Sequence, residues 1–309
     1  MEGVYCLLGI TNRMIQHTKQ YSTAQPPTEG ETLMSDIRLI ALDMDGTLLN
    51  SDHQLSPTTI DYLLAVQDAG YKIVVATGRA RLMTAVDVIQ QLKLSTLGIF
   101  LQGTVIHHAN GDIFHEETLP STIATAILTR LAQENRTALA YQVTDIFTGQ
   151  QNNYTDYVIS LGEAPPQAIG DLTPQAHRIH KLVIWDTAET IRKLRDTLEQ
   201  DYPSEAFTLV EALPAHLIKE GKPISLEILP NHASKGYALE KVAAHYGVTL
   251  EQVLAVGDGE NDIPMLKAAG IGVAMGNAAP ATQAIADYIT TDNDQDGVVK
   301  ALQHFLPPL

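Results

Sequence analysis

The sequence predicts an α/β fold, a mainly parallel sheet whose core is interrupted by a second, inserted α/β module. Three observations predict it. From Asp36 onward, short apolar runs alternate with helical segments, which is the pattern of βαβ units. The 309 residues suggest two domains at roughly 150 residues each. The alternation also changes character in the middle of the chain, from about residue 117, and resumes with a helical segment that opens at Lys235.

Taken in order, residues 37–42 form a buried-strand run that ends at Asp43. Ser56-Pro57 reads as a helix start, a capping hydroxyl followed by proline where its missing N–H costs nothing, and Gly70 closes that helix. The next strand covers 72–76 and ends at Thr77-Gly78-Arg79, and a third covers 97–101 and ends at Gln102-Gly103. A hairpin follows, turned at Asn110-Gly111, a dipeptide that favours the type I′ turn. In the middle, residues 121–135 and 187–200 read as helices, and 137–147, 179–186 and 202–229 hold strands, punctuated by Gly162 to Pro166 and Gly170 to Pro174. The outer pattern returns with a helix over 235–246 stopped by Gly247. A strand over 253–256 ends at Gly257-Asp258, a helix runs from Asp262 to Ala269 and closes at Gly270, and a last strand covers 271–275. The expected organisation is an N-terminal extension over 1–35, a first core segment over 36–116, an inserted module over 117–222 and a second core segment over 223–309. The extension is expected to be disordered or dispensable, since 11–32 is polar with Pro26-Pro27 and no sustained period. Arg13 and Lys19 keep a weak transit sequence as the alternative.

Composition excludes several function classes. Asp and Glu number 36 against 20 Lys and Arg, a formal charge of −16 that repels nucleic-acid backbones and anionic lipid. No apolar run approaches the ~18 residues of a membrane span. One cysteine, Cys6, cannot form an internal disulfide, so nothing asks for an oxidising compartment and a cytoplasmic setting is expected. The partner is expected to be a small molecule, and the protein a monomer or homodimer.

Four segments sit just past the carboxyl ends of strands, where a parallel sheet delivers ligand-binding groups. Asp43-Met44-Asp45-Gly46-Thr47-Leu48 carries two carboxylates two residues apart on a chain leaving a buried strand. Burying them demands a cation and hydrogen-bond donors, although a plain Asp-Gly turn is the alternative. Thr77-Gly78-Arg79 offers a hydroxyl and glycine-exposed N–H groups at an expected helix start, an anion cradle or an ordinary cap. Lys235 stands in the first turn of its helix, against the macrodipole, which serves an anion better than it serves the helix; a surface lysine is the alternative. Gly257-Asp258-Gly259-Glu260-Asn261-Asp262 packs three carboxylates and an amide into five residues. Oxygen ligands of that kind select Mg²⁺ over zinc, against the alternative of a solvated acidic loop.

Together these segments resemble the haloacid dehalogenase superfamily, in particular its Cof-type phosphatases with a large α/β cap (subclass IIB). The four segments match that family's four motifs in order and spacing, and the likeness spans essentially residues 36–305. The resemblance implies a Rossmann-like parallel-sheet core with an inserted α/β cap domain, and a Mg²⁺-dependent phosphomonoester hydrolase acting on a sugar phosphate or phosphorylated cofactor. It implies that Asp43 is the nucleophile, forming an aspartyl phosphate, and that Asp45 is the acid and base. Mg²⁺ would be held by the Asp43 carboxylate, the Asp45 carbonyl and Asp258, with Asn261 and Asp262 completing or orienting the shell. Thr77, Gly78 and Lys235 would bind phosphate oxygens. Chemistry agrees: a carboxylate nucleophile splits hydrolysis into two displacements, and a second carboxyl serves both. A cation also lets anionic Asp43 meet an anionic phosphate in an acidic protein. A phosphomutase shares Asp43 and Asp45, and a phosphometabolite-binding protein without turnover is the non-enzymatic alternative.

Other patterns are read as structural. Gln102-Gly103 stands where Cof-type relatives usually carry Asn-Gly, and it receives no role. Asp292-Asn293-Asp294-Gln295-Asp296-Gly297 opens like a calcium loop, but its twelfth position is Gln303, where an EF-hand needs glutamate. His177 and His180, three apart on an expected strand, point to opposite faces, and with His107 and His108 they read as solvated or core histidines.

Overall fold

The computed structural model describes residues 36–212 and 223–309, so the N-terminal extension expected over 1–35 lies outside the described residues. The described chain runs β1 (Leu39–Leu42), α1 (Pro57–Asp68), β2 (Lys72–Val75), α2 (Thr84–Gln91), β3 (Gly98–Phe100), β4 (Val105–His107) and β5 (Ile113–Glu116). It continues with α3 (Ser121–Gln133), β6 (Ala138–Tyr141), β7 (Ile146–Thr148), α4 (Asn153–Ser160), β8 (Gln167–Ala168), β9 (Lys181–Asp186), α5 (Ala188–Asp201), β10 (Thr208–Ala212) and β11 (Ile224–Leu229). Then follow α6 (Lys235–His245), β12 (Val253–Gly257), α7 (Ile263–Ala268), β13 (Ile271–Ala274), α8 (Pro280–Gln283), β14 (Tyr288–Ile289) and α9 (Gly297–Phe305).

The first sheet has the order β14-β13-β12-β1-β2 and is parallel throughout. Its inner strand β1 is buried on both faces, as parallel sheets require. Ile40 and Leu42 pack with Leu63 and Val66 of α1, Val88 of α2 and Leu302 of α9, while Leu39 and Ala41 pack with Leu239 and Val242 of α6 and Leu266 of α7. The register pairs Leu42 with Val75 on one side and Val256 on the other. Three strands therefore end level, and Asp43, Thr77 and Asp258 leave the sheet at one edge.

The second sheet, β10-β11-β9-β6-β7-β8, is antiparallel apart from the β7–β8 pair. One face is covered by α3 and α5, where Ile127, Leu131, Ile191 and Leu198 pack against Leu182 and Ile184. Leu139, Tyr141 and Val183 on the opposite face join Val158 of α4 and Ala80, Leu101 and Val105 from the first part of the chain. This face looks toward the strand ends of the parallel sheet.

Four sequence expectations are corrected. The third apolar run extends the parallel sheet only through a single bridge between Ala76 and Ile99; β3 otherwise forms an antiparallel sheet with β4 and β5. Periodicity alone does not distinguish those pairings. The β4–β5 turn is not type I′: Gly111 has φ +98° but Asn110 lacks the positive φ that turn requires, and Asn110 instead accepts the Asp112 N–H at 3.0 Å. Residues 173–178, including His177, form a 3₁₀ turn rather than part of a strand. Finally, β11 pairs antiparallel with β9 and β10, so a strand placed in the second core segment, which was to begin at 223, belongs to the second sheet. The calcium-like run is a clasp. Its Asp294 accepts Ser51 N–H and O–H at 2.8 and 2.7 Å, and its Asp296 accepts the Ser56 hydroxyl at 2.5 Å.

Candidate active site

Level strand ends bring residues from distant parts of the chain together. Asp43 follows β1 and is 5% exposed. Lys235 opens α6, whose cap Ser234 accepts the Tyr237 N–H at 3.1 Å, and its side chain is fully buried between the core loops. The Lys235 ammonium donates to Asp43 Oδ1 at 2.5 Å and to Asp262 Oδ1 at 2.6 Å. Asp262 Oδ2 accepts the backbone N–H groups of Asp258 and Gly259 at 3.0 and 2.9 Å, which folds the loop after β12 back toward β1. Asp43, Asp258 and Asp262 each offer an oxygen, all within 4.8 Å of one another. Glu260, the remaining carboxylate of that acidic run, is exposed.

The electrostatics show a site short of positive charge. Burial, with Asp262 beside it, pushes the Asp43 carboxyl well above its usual range despite Lys235. Burial and then Asp262 push Asp258 up to about 7. Burial works against the Lys235 charge, but Asp262 and Asp43 outweigh it and keep the ammonium protonated. Three crowded carboxylates facing one ammonium, with oxygen as the only donor type, fit a divalent cation. The loop is shaped for close approach: a Cβ on Gly46 would fall 2.4 Å from Asp258 Oδ2.

The other expected residues sit beside this cluster with partners of their own. Asp45 turns toward Arg79, which donates to both its oxygens from Nε and Nη2 at 2.7 Å each. Burial alone would raise the Asp45 carboxyl, but His53 and Arg79 hold it well below the usual carboxylate range. Thr77 is fully buried and its hydroxyl accepts the Arg79 N–H at 3.1 Å. No helix starts there, since α2 begins at Thr84, so the expected helix start is instead a turn, and it aims Arg79. The Gly78 carbonyl accepts Lys181 at 2.8 Å. The Asn261 amide donates to Gln102 Oε1 at 3.1 Å.

Several residues without an expected role complete the site. The Thr47 hydroxyl donates to Asp258 Oδ1 at 3.1 Å. Gln102, with φ +62°, spans from Asn261 to Glu227 Oε2, to which it donates at 2.9 Å, and Glu227 Oε1 accepts Lys181 at 3.2 Å. A signal for the last pair was available, because Lys181 opens and Glu227 interrupts a largely apolar strand run, and they are buried at 3% and 6% exposure. Nothing in the sequence pairs them.

Among the described residues, no helix is long and apolar enough to cross a membrane. A family model described as haloacid dehalogenase-like hydrolase matches residues 40–302. The chain is 33% identical to Phosphatase YwpJ of Bacillus subtilis, over 87% of this chain and 100% of that protein. It is 31% identical to the 5-amino-6-(5-phospho-D-ribitylamino)uracil phosphatase YcsE of the same organism, over 88% and 96%. A solved haloacid dehalogenase-like hydrolase from B. subtilis superposes with a TM-score of 0.76 at 30% identity, covering 87% of this chain and 100% of that one. With the four loops converging as described, the chain belongs to the haloacid dehalogenase-like hydrolases, as a phosphatase of their Cof-type branch.

Proposed function

We propose that the protein is a Mg²⁺-dependent phosphomonoester hydrolase for a small phosphorylated metabolite, working through an aspartyl phosphate, with the second sheet as a cap domain over the parallel core. The observation that carries this reading is the cluster of Asp43, Asp258 and Asp262 around the Lys235 ammonium. YcsE is named for a phosphorylated ribitylaminouracil, a small phosphate ester, which supports the substrate class. The acidic charge and single cysteine support a cytoplasmic setting.

In this mechanism an Asp43 carboxylate oxygen attacks phosphorus, the bond to the ester oxygen breaks, and the departing alcohol takes a proton from Asp45. Water then gives a proton to Asp45 and attacks the phosphoryl group, which releases Asp43 and inorganic phosphate. Bound Mg²⁺, held by Asp43, Asp258 and the Asp45 carbonyl with Asp262 and Asn261 around them, would neutralise the phosphate oxygens facing those carboxylates. Lys235 has three N–H donors and uses two on Asp43 and Asp262, leaving the third for a phosphate oxygen. Thr77 and Gly78, in the turn on the other side, would bind further phosphate oxygens. Arg79 holds Asp45 ionised through both its oxygens, the state the water step needs, so giving a proton to the alcohol requires Asp45 to release one of those two contacts.

The test is inorganic phosphate release from a panel of sugar phosphates, nucleotides, flavin mononucleotide and pyridoxal phosphate, with Mg²⁺ and with chelator. Release that needs Mg²⁺, needs no activating bisphosphate and drops at least about a hundredfold in Asp43→Asn is expected. Phosphate that appears only with a bisphosphate present indicates a mutase, and a panel that binds without turnover indicates a sensor.

A further inference from the structure

Lys181 and Glu227 form a buried ion pair on the face of the second sheet that also carries Tyr141 and Val183. Replacing such a pair by apolar side chains of like volume is often neutral or stabilising, so stability alone does not account for it. Its other hydrogen bonds leave the sheet. Lys181 Nζ donates to the Gly78 carbonyl at 2.8 Å, and Glu227 Oε2 accepts Gln102 Nε2 at 2.9 Å. Gln102 Oε1 then accepts the Asn261 amide N–H at 3.1 Å. The backbone is strained to keep this route open. Leu101 and Gln102 hold φ of +49° and +62°, and a Cβ on Gly78 would stand 2.7 Å from Gln102 Nε2. Glu227 gives the route a direction. A carboxylate paired with an ammonium only accepts, so Gln102 turns its NH₂ to Glu227 and its oxygen to Asn261. Asn261 in turn gives NH₂ to Gln102, which leaves its Oδ1 for the acidic loop. A Cβ on Gly259 would collide with that Oδ1 and lie 3.6 Å from Asp262 Oδ2, so the amide oxygen and the carboxylate lie over the same residue of the loop. A hard cation takes a carbonyl oxygen as ligand and is repelled by an NH₂ in its place.

We propose that Glu227 is a positioning residue for the cation loop: through Gln102 it turns the Asn261 oxygen toward the loop of Asp258 and Asp262, so that a residue of the second sheet sets how tightly the core holds a divalent cation. The proposal rests on the Mg²⁺-dependent reading above and adds a control outside the four segments that carry it. A reversal follows from the same polarity. In Glu227→Gln the Lys181 ammonium attracts the new amide oxygen, and the new NH₂ turns to Gln102 Oε1. Both downstream amides then flip, and Asn261 presents NH₂ to the acidic loop. Removing the ammonium as well, in Lys181→Met/Glu227→Gln, frees the new amide to offer its oxygen to Gln102, which restores the original order.

The experiment titrates the substrate-free full chain with Mn²⁺, read by electron paramagnetic resonance of the free ion, and with Mg²⁺ by calorimetry. Groups that orient metal ligands are typically worth about 10- to 100-fold in affinity, so Glu227→Gln and Gln102→Met are each expected to weaken Kd at least about tenfold. Lys181→Met/Glu227→Gln is expected to return to within about threefold of the wild type, although it carries one substitution more. A pair that only holds the fold together predicts the opposite, a further loss when Lys181 goes. Each variant is checked by urea unfolding, and Gln102→Met, which leaves the ion pair intact, decides if a Glu227 variant fails to fold. An unchanged Kd in Gln102→Met overturns the proposal, and so does a double variant that binds no better than Glu227→Gln. Asp258→Asn checks the cation reading separately, since saturable binding in the wild type should vanish in it. If that holds while the Glu227 and Gln102 variants bind like the wild type, only the positioning role fails; if the wild type binds neither ion, both readings fail.

Discussion

Lys235 is buried more completely than almost any lysine, and the two carboxylates against it explain why it stays charged there. Removing one partner of a buried ion cluster leaves charge uncompensated, which typically costs about 3–5 kcal/mol. Lys235→Met is therefore expected to lose about 3 kcal/mol in urea unfolding with chelator present, and to recover part of it in saturating Mg²⁺, since bound cation offsets the same repulsion. A loss below about 1 kcal/mol would mean the ammonium does little for these carboxylates. Gln102 gives a second residue-scale prediction. Its amide satisfies both Glu227 and Asn261, so Gln102→Leu should cost about 1–3 kcal/mol, and Gln102→Asn, one methylene shorter, should not restore both contacts. A double-mutant cycle with Glu227→Gln should give coupling of at least about 0.5 kcal/mol; additivity would show the contact to be energetically idle. At this scale the sequence was informative about which residue types carry chemistry and uninformative about their partners. Asp43, Lys235, Asp258 and Asp262 were recognisable from motifs. The grip of Arg79 on Asp45, 34 positions away, and that of Gln102 on Glu227, 125 positions away, were not, because hydrogen-bond pairing depends on geometry that residue identity does not contain.

Helices were legible where local chemistry sets their ends. Ser56 accepts the Thr59 N–H at 3.0 Å with Pro57 in the first turn, and Gly70 and Gly247 follow the helices they were expected to stop. That cap does more than begin α1, because the Ser56 hydroxyl also donates to Asp296 and ties the helix to the clasp before α9. Ser56→Ala is expected to cost about 1–2 kcal/mol, toward the upper end of cap substitutions, measured by urea unfolding; a change of a few tenths would show that the cross-link to Asp296 contributes nothing. Strands were legible as runs and not as pairings. An apolar run of five residues is compatible with either neighbour direction, which is why the antiparallel pairing of β3 was not legible, and why the boundary at 223 cut β11 away from the middle strands it pairs with.

At the scale of the whole molecule, two buried histidines make stability depend on pH. Burial lowers His180, although its Nε2 lies 3.0 Å from Glu116, and burial lowers His107, whose Nδ1 lies 2.9 Å from the Gly111 carbonyl. The unfolded chain, with histidine near its ordinary value of about 6.5, takes up protons before the folded one does. Their contribution is thus complete above about pH 6.5 and is lost as pH falls through the lowered folded values, with a slope of at most about 1.4 kcal/mol per pH unit for each histidine. Carboxyls raised at the active site act in the opposite sense, so the informative comparison is wild type against His180→Gln. The stability advantage of the wild type should shrink between pH 6.5 and 5, and an advantage constant across that range would mean His180 does not titrate differently on folding. What the amino-acid order alone determined is the alternation of elements, the class of fold and the four loops that carry chemistry, because period, caps and turn residues act within a few positions. The tertiary structure decided that Asp43, Lys235 and Asp262 share one ion cluster and that Arg79 faces Asp45 with a donor to spare. Those relations follow from strand register and from packing between two sheets, and both are properties of segments that meet only when the chain is folded.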